Sequence, residues 1–204
     1  VIQFGAHMSE LGQGVMDVGE KVGETGKKIL DSFGGAIEKA DSFNSSMNDL
    51  RAKTGAAAED MEELTKVTEN VYNNNFGESF EEAAESVATV NKYLWLTGDE
   101  LQKTTEKAYG LKDTFGYDIA ESIRSVDMLM DTFGLTSDEA FNLIVQGAQN
   151  GLDFSGEMLD TINEYSVQFE KAGLEAEDMF NILFDGAQSG AWNLDCLLYT
   201  SDAA

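Results

Sequence analysis

A repeat of 39 residues constrains the fold of this 204-residue chain more than any other feature of its sequence. Phe76, Phe115 and Phe154 are 39 residues apart, and the first two are followed by glycine. Twenty residues further into each segment, three related runs occur: LTGDEL at 96–101, LTSDEA at 135–140 and LEAEDM at 174–179. Because several columns share one register, we predict a repeat protein whose units stack to bury a common core.

Each unit has the sequence pattern of two helices, which is clearest in the second unit. Asp118 is a candidate N-cap with Glu121 three residues later, the spacing of a capping box. An apolar stripe of helical period follows: Ile119, Ile123, Val126, Met130 and Phe133. Gly134 provides the left-handed stop that commonly ends a helix. Thr136 with Glu139 then predicts a second capped helix.

The other two units repeat this arrangement with different caps. Thr97 with Glu100 matches the capping pair of the second unit, whereas Glu175 is a poor cap and predicts a weaker helix start. Apolar pairs flank these starts, Leu96 with Leu101 and Leu174 with Met179. Helices of about 13 to 18 residues joined by short glycine-containing turns are typical of antiparallel hairpins. We therefore predict an all-α fold, either α-solenoid-like or a bundle.

Residues 1–55 have a different pattern. Glycine recurs every seven residues at 5, 12, 19 and 26, beside an apolar seam with heptad spacing. The pattern predicts a long amphipathic, coiled-coil-like helix that pairs with another copy or with another part of a parent protein. A frayed helix without a partner is the alternative. A second helix is predicted over 56–72, so we predict a helical region at 1–55 and a repeat core at 56–195.

Composition excludes several classes of function. The chain contains no proline, which suits a largely helical protein, and 13 basic against 38 acidic residues give a net charge of −25. That charge argues against binding to nucleic acid or to anionic lipid. No apolar run reaches the length of about 18 residues that a membrane-spanning helix needs.

Both ends of the chain look like cuts in a longer reading frame. The start at Val1 has no signal-peptide pattern. Residues 196–204 break the periodicity and resemble translated sequencing adapter, so we expect a non-native tail, with a genuine C-terminus as the alternative. Cys196, the single cysteine, is assigned no function.

The sequence contains no recognisable catalytic constellation. His7, the single histidine, has no candidate nucleophile pattern nearby. Adjacent acids, such as those at 62–63, 81–82 and 177–178, would face different directions on a helix and indicate solvated faces or first turns. We therefore expect no enzyme, no cofactor, and no catalytic, cofactor-binding or metal-binding residue.

Three stretches carry a resemblance to a known family. Leu50 to Met61 contains an Arg-x-x-Thr-Gly-Ala pattern followed by an acidic helix start, Thr132 to Thr136 is a hairpin turn, and Gly186 to Asp195 leads towards a further helix. These stretches resemble the core domain of phage tail tape measure (minor tail) proteins, and the resemblance covers roughly residues 30–195.

The resemblance implies a structural virion protein. It implies a location in the tail tube lumen, a role in setting tail length, and release that assists DNA ejection. It also implies the tail tube protein and tail assembly chaperones as partners. It implies that the protein is in the host cytoplasm during assembly and contacts the host membrane at ejection, and that its gene belongs to a phage or a prophage. A generic α-solenoid interaction scaffold and a membrane-active helical protein are the alternatives.

Overall fold

The computed structural model describes residues 37–194, and the regular structure in that range is entirely α-helical. The helices are α1 (Ile37–Thr54), α2 (Ala58–Asn73), α3 (Phe80–Leu94), α4 (Gly98–Phe115), α5 (Ile119–Phe133), α6 (Ser137–Gln149), α7 (Met158–Lys171) and α8 (Ala176–Gln188). The predicted all-α class is confirmed. Residues 1–36 of the predicted helical region 1–55 lie outside the described residues. The predicted domain boundaries stay predictions.

The helix boundaries follow the 39-residue register. The first helices of the three units begin at Phe80, Ile119 and Met158, and both intervals are 39 residues. The second helices begin at Gly98, Ser137 and Ala176, again 39 residues apart. Three-residue linkers join α3 to α4 and α5 to α6. The two helices of a unit pack on each other in the α3–α4 hairpin and in the α7–α8 hairpin.

A left-handed residue follows the first helix of every unit. The residues are Trp95, Gly134 and Gly173, with φ of 55°, 70° and 79°, and they are 39 residues apart. The N–H groups of Trp95 and Gly134 each donate to a carbonyl four residues earlier, at 2.9 Å, which closes the last turn of the helix. A side chain in this conformation costs about 1–2 kcal/mol, so glycine is the expected residue here and tryptophan is the exception.

The helices divide into two compact units, with the boundary between Ile123 and Arg124 inside α5. In the compact unit that ends at Ile123, α3 packs against α1, α2 and α4. Tyr109 is the largest fully buried side chain in this part of the chain, and its hydroxyl shares a hydrogen bond of 2.9 Å with Ser86 Oγ. The Phe76 ring lies 5.7 Å from the Tyr109 ring, between centroids. A Cβ on Gly77 would lie 2.8 Å from Tyr109 Oη, which explains why the Phe-Gly pair precedes α3.

In the compact unit that contains the residues from Arg124 onward, α6, α7 and α8 pack together around a glycine in α6. A Cβ on Gly147 would lie 2.7 Å from Met158 Sδ and 3.2 Å from Phe180 Cε1, so the missing side chain lets α6 approach its two neighbours. Ser125, on α5, accepts a hydrogen bond of 3.0 Å from the Asn163 amide of α7. The oxygen of Leu159 lies 3.2 Å from the Ser125 hydroxyl, which links the same two helices.

The predicted caps have different outcomes. Thr136 and Glu139 form the predicted capping box, and Asp118 Oδ1 accepts the predicted bond from Glu121 N–H at 3.1 Å. The cap at Thr97 is wrong, because its side chain makes no capping hydrogen bond. The residue after Thr97 is Gly98, with φ of 55°, so α4 begins with a different backbone geometry.

Candidate functional site

Two surface grooves run along the sides of α2, and Glu62 and Lys66 line both of them. The groove between α2 and α4 is also lined by Glu63, Val67, Asn70, Gly98, Asp99 and Gln102. The groove between α1 and α2 is also lined by Met47, Asn48, Arg51, Met61, Thr65 and Glu69. Both grooves are open to solvent and bordered by polar side chains, which is unlike the enclosed, mostly apolar pockets that hold small molecules.

The groove between α2 and α4, called the acidic groove below, has more acidic than basic lining residues. Its charged lining residues are Glu62, Glu63, Asp99 and a single lysine, Lys66. Glu63 reaches the start of α4, since a Cβ on Gly98 would lie 2.9 Å from Glu63 Oε1. The groove therefore carries excess negative charge, and Glu63 brings part of it close to the first turn of α4.

Amide side chains and one carboxylate form a hydrogen-bonded network that links α2 to α4, and two of them, Asn70 and Gln102, also line the acidic groove. The Asn70 amide donates to Gln102 Oε1 at 2.9 Å. Gln102 and Asn74 both donate to Glu106 Oε1, each at 2.8 Å. These polar side chains bond to one another, so they hold α2 against α4 and offer little to a ligand.

Two ion pairs connect α3 to its neighbours. Lys112, on α4, donates to Glu82, and Lys53, on α1, donates to Glu85 at 2.7 Å. The Lys112 ammonium and then the Glu78 N–H hold the pKa of Glu82 below its ordinary value, and the Glu82 carboxylate raises the pKa of Lys112. These charges serve helix packing.

The adjacent acids singled out in the sequence do not form a shared site. Glu82 pairs with Lys112, while its neighbour Glu81 is exposed on the first turn of α3. Asp178 accepts a bond of 3.1 Å from the Glu175 N–H and so caps α8. Glu62 and Glu63 lie along the acidic groove. Between residues 37 and 194, no group of three or more histidine, cysteine, aspartate or glutamate side chains is placed to hold a metal ion.

His7 and Cys196 lie outside the described residues. The expected absence of catalytic, cofactor-binding and metal-binding residues stays a prediction. In the part of the chain that the structure describes, no helix has both the length and the apolar character needed to cross a bilayer.

Two exposed tryptophans were not singled out by sequence reasoning. The Trp95 side chain is 85% exposed in the turn between α3 and α4, and Trp192 is 89% exposed after α8. The repeat contained a signal for Trp95, because the aligned residues are Gly134 and Gly173. Trp95 lies three residues before Gly98, which is one of the residues that line the acidic groove.

Comparison with known protein families identifies a match over most of the repeat core. A family model described as "Phage-related minor tail protein" matches residues 70–195, which is more than half of the chain and includes all three 39-residue units. No curated protein and no solved structure matches the chain.

Proposed function

The chain belongs to the family of phage-related minor tail proteins, and on that premise we propose that it is a segment of a tail tape measure protein. Membership of the family makes the chain a structural component of the phage tail. The finer proposal is that the chain lies in the tail tube lumen, helps to set tail length and leaves the tail when DNA is ejected. In this proposal it has no enzymatic role.

The 39-residue register of the helices is the observation that carries the proposal. The register lies inside the matched region, and both helices of each unit obey it. The side chains that could have suggested chemistry are instead engaged in capping and packing, such as Glu139 at the start of α6 and Glu82 beside Lys112. A regular array of this kind suits a protein whose job is assembly.

The fold also implies a division of labour along the parent protein. A helix rises about 1.5 Å per residue, so an extended 39-residue helix would span about 58 Å. Packed helices are only about 8–10 Å apart, so a folded hairpin of the same length adds far less to a stack. We therefore propose that residues 76–194 form a folded element, and that heptad stretches such as residues 1–30 supply length.

Two deletions in the phage, followed by electron microscopy of tail lengths, test this proposal. Removal of residues 1–30 should shorten the mean tail by about 45 Å, the rise of a helix of that length. Removal of residues 115–153, one complete unit, should shorten it by about 10 Å or less. Tails of unchanged length after the first deletion would contradict a ruler, and a loss of about 58 Å after the second would contradict the folded element.

The proposed partners follow from the same assignment. They are the tail tube protein and the tail assembly chaperones, together with a second copy of the chain through its N-terminal region and the host membrane at ejection. The net charge of −25 supports the proposal that this segment does not bind DNA or RNA. Co-purification of the chain with the tail tube protein from infected cells would test the first partner.

A further inference from the structure

Trp95 departs from the repeat in a way that local folding does not explain. The turn needs a left-handed residue, and the chain itself uses glycine for it in the other two units, at Gly134 and Gly173. Trp95 adopts the same conformation with a φ of 55°, which strains a residue that has a side chain. Its indole gains no compensating burial, because 85% of it is exposed.

The surroundings of Trp95 are acidic. Asp99 and Glu100 form the first turn of α4 immediately after it, and Glu63 approaches Gly98 from α2. Of the lysines nearby, Lys66 lies along the acidic groove and Lys92 lies over the Tyr93 ring, 5.6 Å from its centroid. The turn therefore exposes a large aromatic residue that is followed closely in sequence by the carboxylate-rich first turn of α4.

We propose that Trp95 and the acidic groove form a docking site for a segment of another protein that is rich in arginine and lysine. The face of an indole attracts guanidinium and ammonium groups, and carboxylates bond to the same groups. Strained residues collect at binding sites, and tryptophan is enriched among the residues that dominate binding energy. A second copy of the repeat units is a poor occupant of this groove, because acidic residues outnumber basic ones 38 to 13 in the chain and the groove itself is acidic. The proposal does not depend on the tape measure assignment.

The substitution Trp95→Gly gives a test that separates binding from folding. It restores the residue that the other units carry, so the variant should keep its helix content and melt at the same temperature or higher. Trp95→Asn is a second variant, since Asn75 of this chain already has a φ of 64°. Trp192→Gly is the matched control, because it removes an indole that is 89% exposed elsewhere.

The probe is a synthetic peptide of alternating arginine and alanine, and a peptide of alternating glutamate and alanine is its control. Titration into the full chain should shift the Trp95 indole N–H signal in proton–nitrogen spectra, and the Trp192 signal should stay in place. Trp95→Gly and Trp95→Asn should weaken binding about tenfold or more, while Trp192→Gly binds as the parent chain does. A Glu63→Gln, Asp99→Asn variant should also bind more weakly and depend less on salt.

Three results would overturn the proposal. The first is equal affinity of the parent chain and both Trp95 variants, which would mean that the peptide binds to the acidic surface in general. The second is an unmoved Trp95 signal in a peptide complex. The third is an equal response to the glutamate peptide, which would exclude recognition through charge.

Discussion

Gly147 on α6 and Met158 on α7 are in such close contact that a Cβ on the glycine would lie 2.7 Å from the methionine sulfur. The same Cβ would lie 3.2 Å from the Phe180 ring, and both partners are fully buried. The absent side chain is therefore part of the packing of three helices, although glycine inside a helix is usually a weakness.

Replacing Gly147 with alanine should lower the free energy of unfolding by about 1–2 kcal/mol. Overpacking of this kind costs about 1–3 kcal/mol, and the better helix propensity of alanine returns up to about 1 kcal/mol. Urea unfolding followed by circular dichroism measures the change. In a Met158→Ala background, where the sulfur is gone and only the milder 3.2 Å approach to Phe180 remains, the same substitution should cost clearly less, and equal costs in both backgrounds would contradict the contact.

The two threonine starts provide a comparison within one chain. Thr136→Ala should lower the free energy of unfolding by about 1 kcal/mol, because the Thr136 hydroxyl caps α6 by accepting from the Glu139 N–H. Thr97→Ala should cost much less, because Thr97 makes no side-chain capping bond at the start of α4. Thermal or urea unfolding of both variants measures the difference. Equal losses would mean that the hydroxyl bond at Thr136 contributes nothing.

The outcome at these starts shows what the sequence could and could not predict. Short-range spacing patterns predicted the all-α class and the capping box at Thr136, and the recurrence of those patterns predicted the 39-residue register. Thr97 has the same local pattern, but the left-handed conformation of Gly98 changes the first turn, and no spacing rule encodes that. The second helix was predicted over 56–72 and is found at Ala58–Asn73, a difference typical of helix ends.

Contacts between helices were beyond sequence reasoning. Gly147 aligns with Ala108 and Gly186 in the 39-residue repeat, but its proximity to Met158 depends on how three helices pack. The pairing of Glu82 with Lys112, 30 residues away, likewise depends on the packing of α3 against α4. Trp95 is different, because its glycine counterparts were visible in the alignment of the units and only its exposure required the structure.

The Glu82–Lys112 pair should give stability a defined pH dependence. The pKa of Glu82 is lowered, so its contribution is complete above its ordinary value of 4.5 and is lost as pH falls through the lower folded value. The pKa of Lys112 is raised, so its contribution is complete below its ordinary value of 10.5 and is lost as pH rises through the higher folded value. The pair therefore contributes fully between these limits.

Urea unfolding of the parent chain and of Glu82→Gln, measured from pH 3 to pH 8, tests this dependence. Acid also relieves the repulsion within a chain of net charge −25, so the informative quantity is the difference between the two proteins. That difference should be largest near neutral pH and shrink as the pH falls below the ordinary carboxyl pKa of 4.5. Glu81→Gln, at an exposed neighbour on the same turn, should show little change, and a constant gap across the range would contradict the ion pair.

Tyr109 should ionise later than an ordinary tyrosine. Burial raises its pKa to about 12, and the bond with Ser86 opposes that rise without cancelling it. Because the folded pKa is raised, the neutral phenol stabilises the fold below its ordinary pKa of 10.0, and this contribution is lost as pH rises towards 12. An ultraviolet titration should therefore show a phenol that ionises near pH 12, and this phenol should be missing in Tyr109→Phe.

Tyr109→Phe should also lower the free energy of unfolding by about 1 kcal/mol, because Ser86 loses a buried hydrogen-bond partner. Ser86 Oγ keeps its hydrogen bond of 2.9 Å to the backbone carbonyl oxygen of Glu82, which limits the loss of stability. Tyr93→Phe is the control, since Tyr93 is only half-buried and has no such hydroxyl bond to Ser86. If a phenol still ionised near pH 12 in Tyr109→Phe, the buried tyrosine would have to be a different one. The packing of Gly77 against Tyr109 Oη would then be wrong as well.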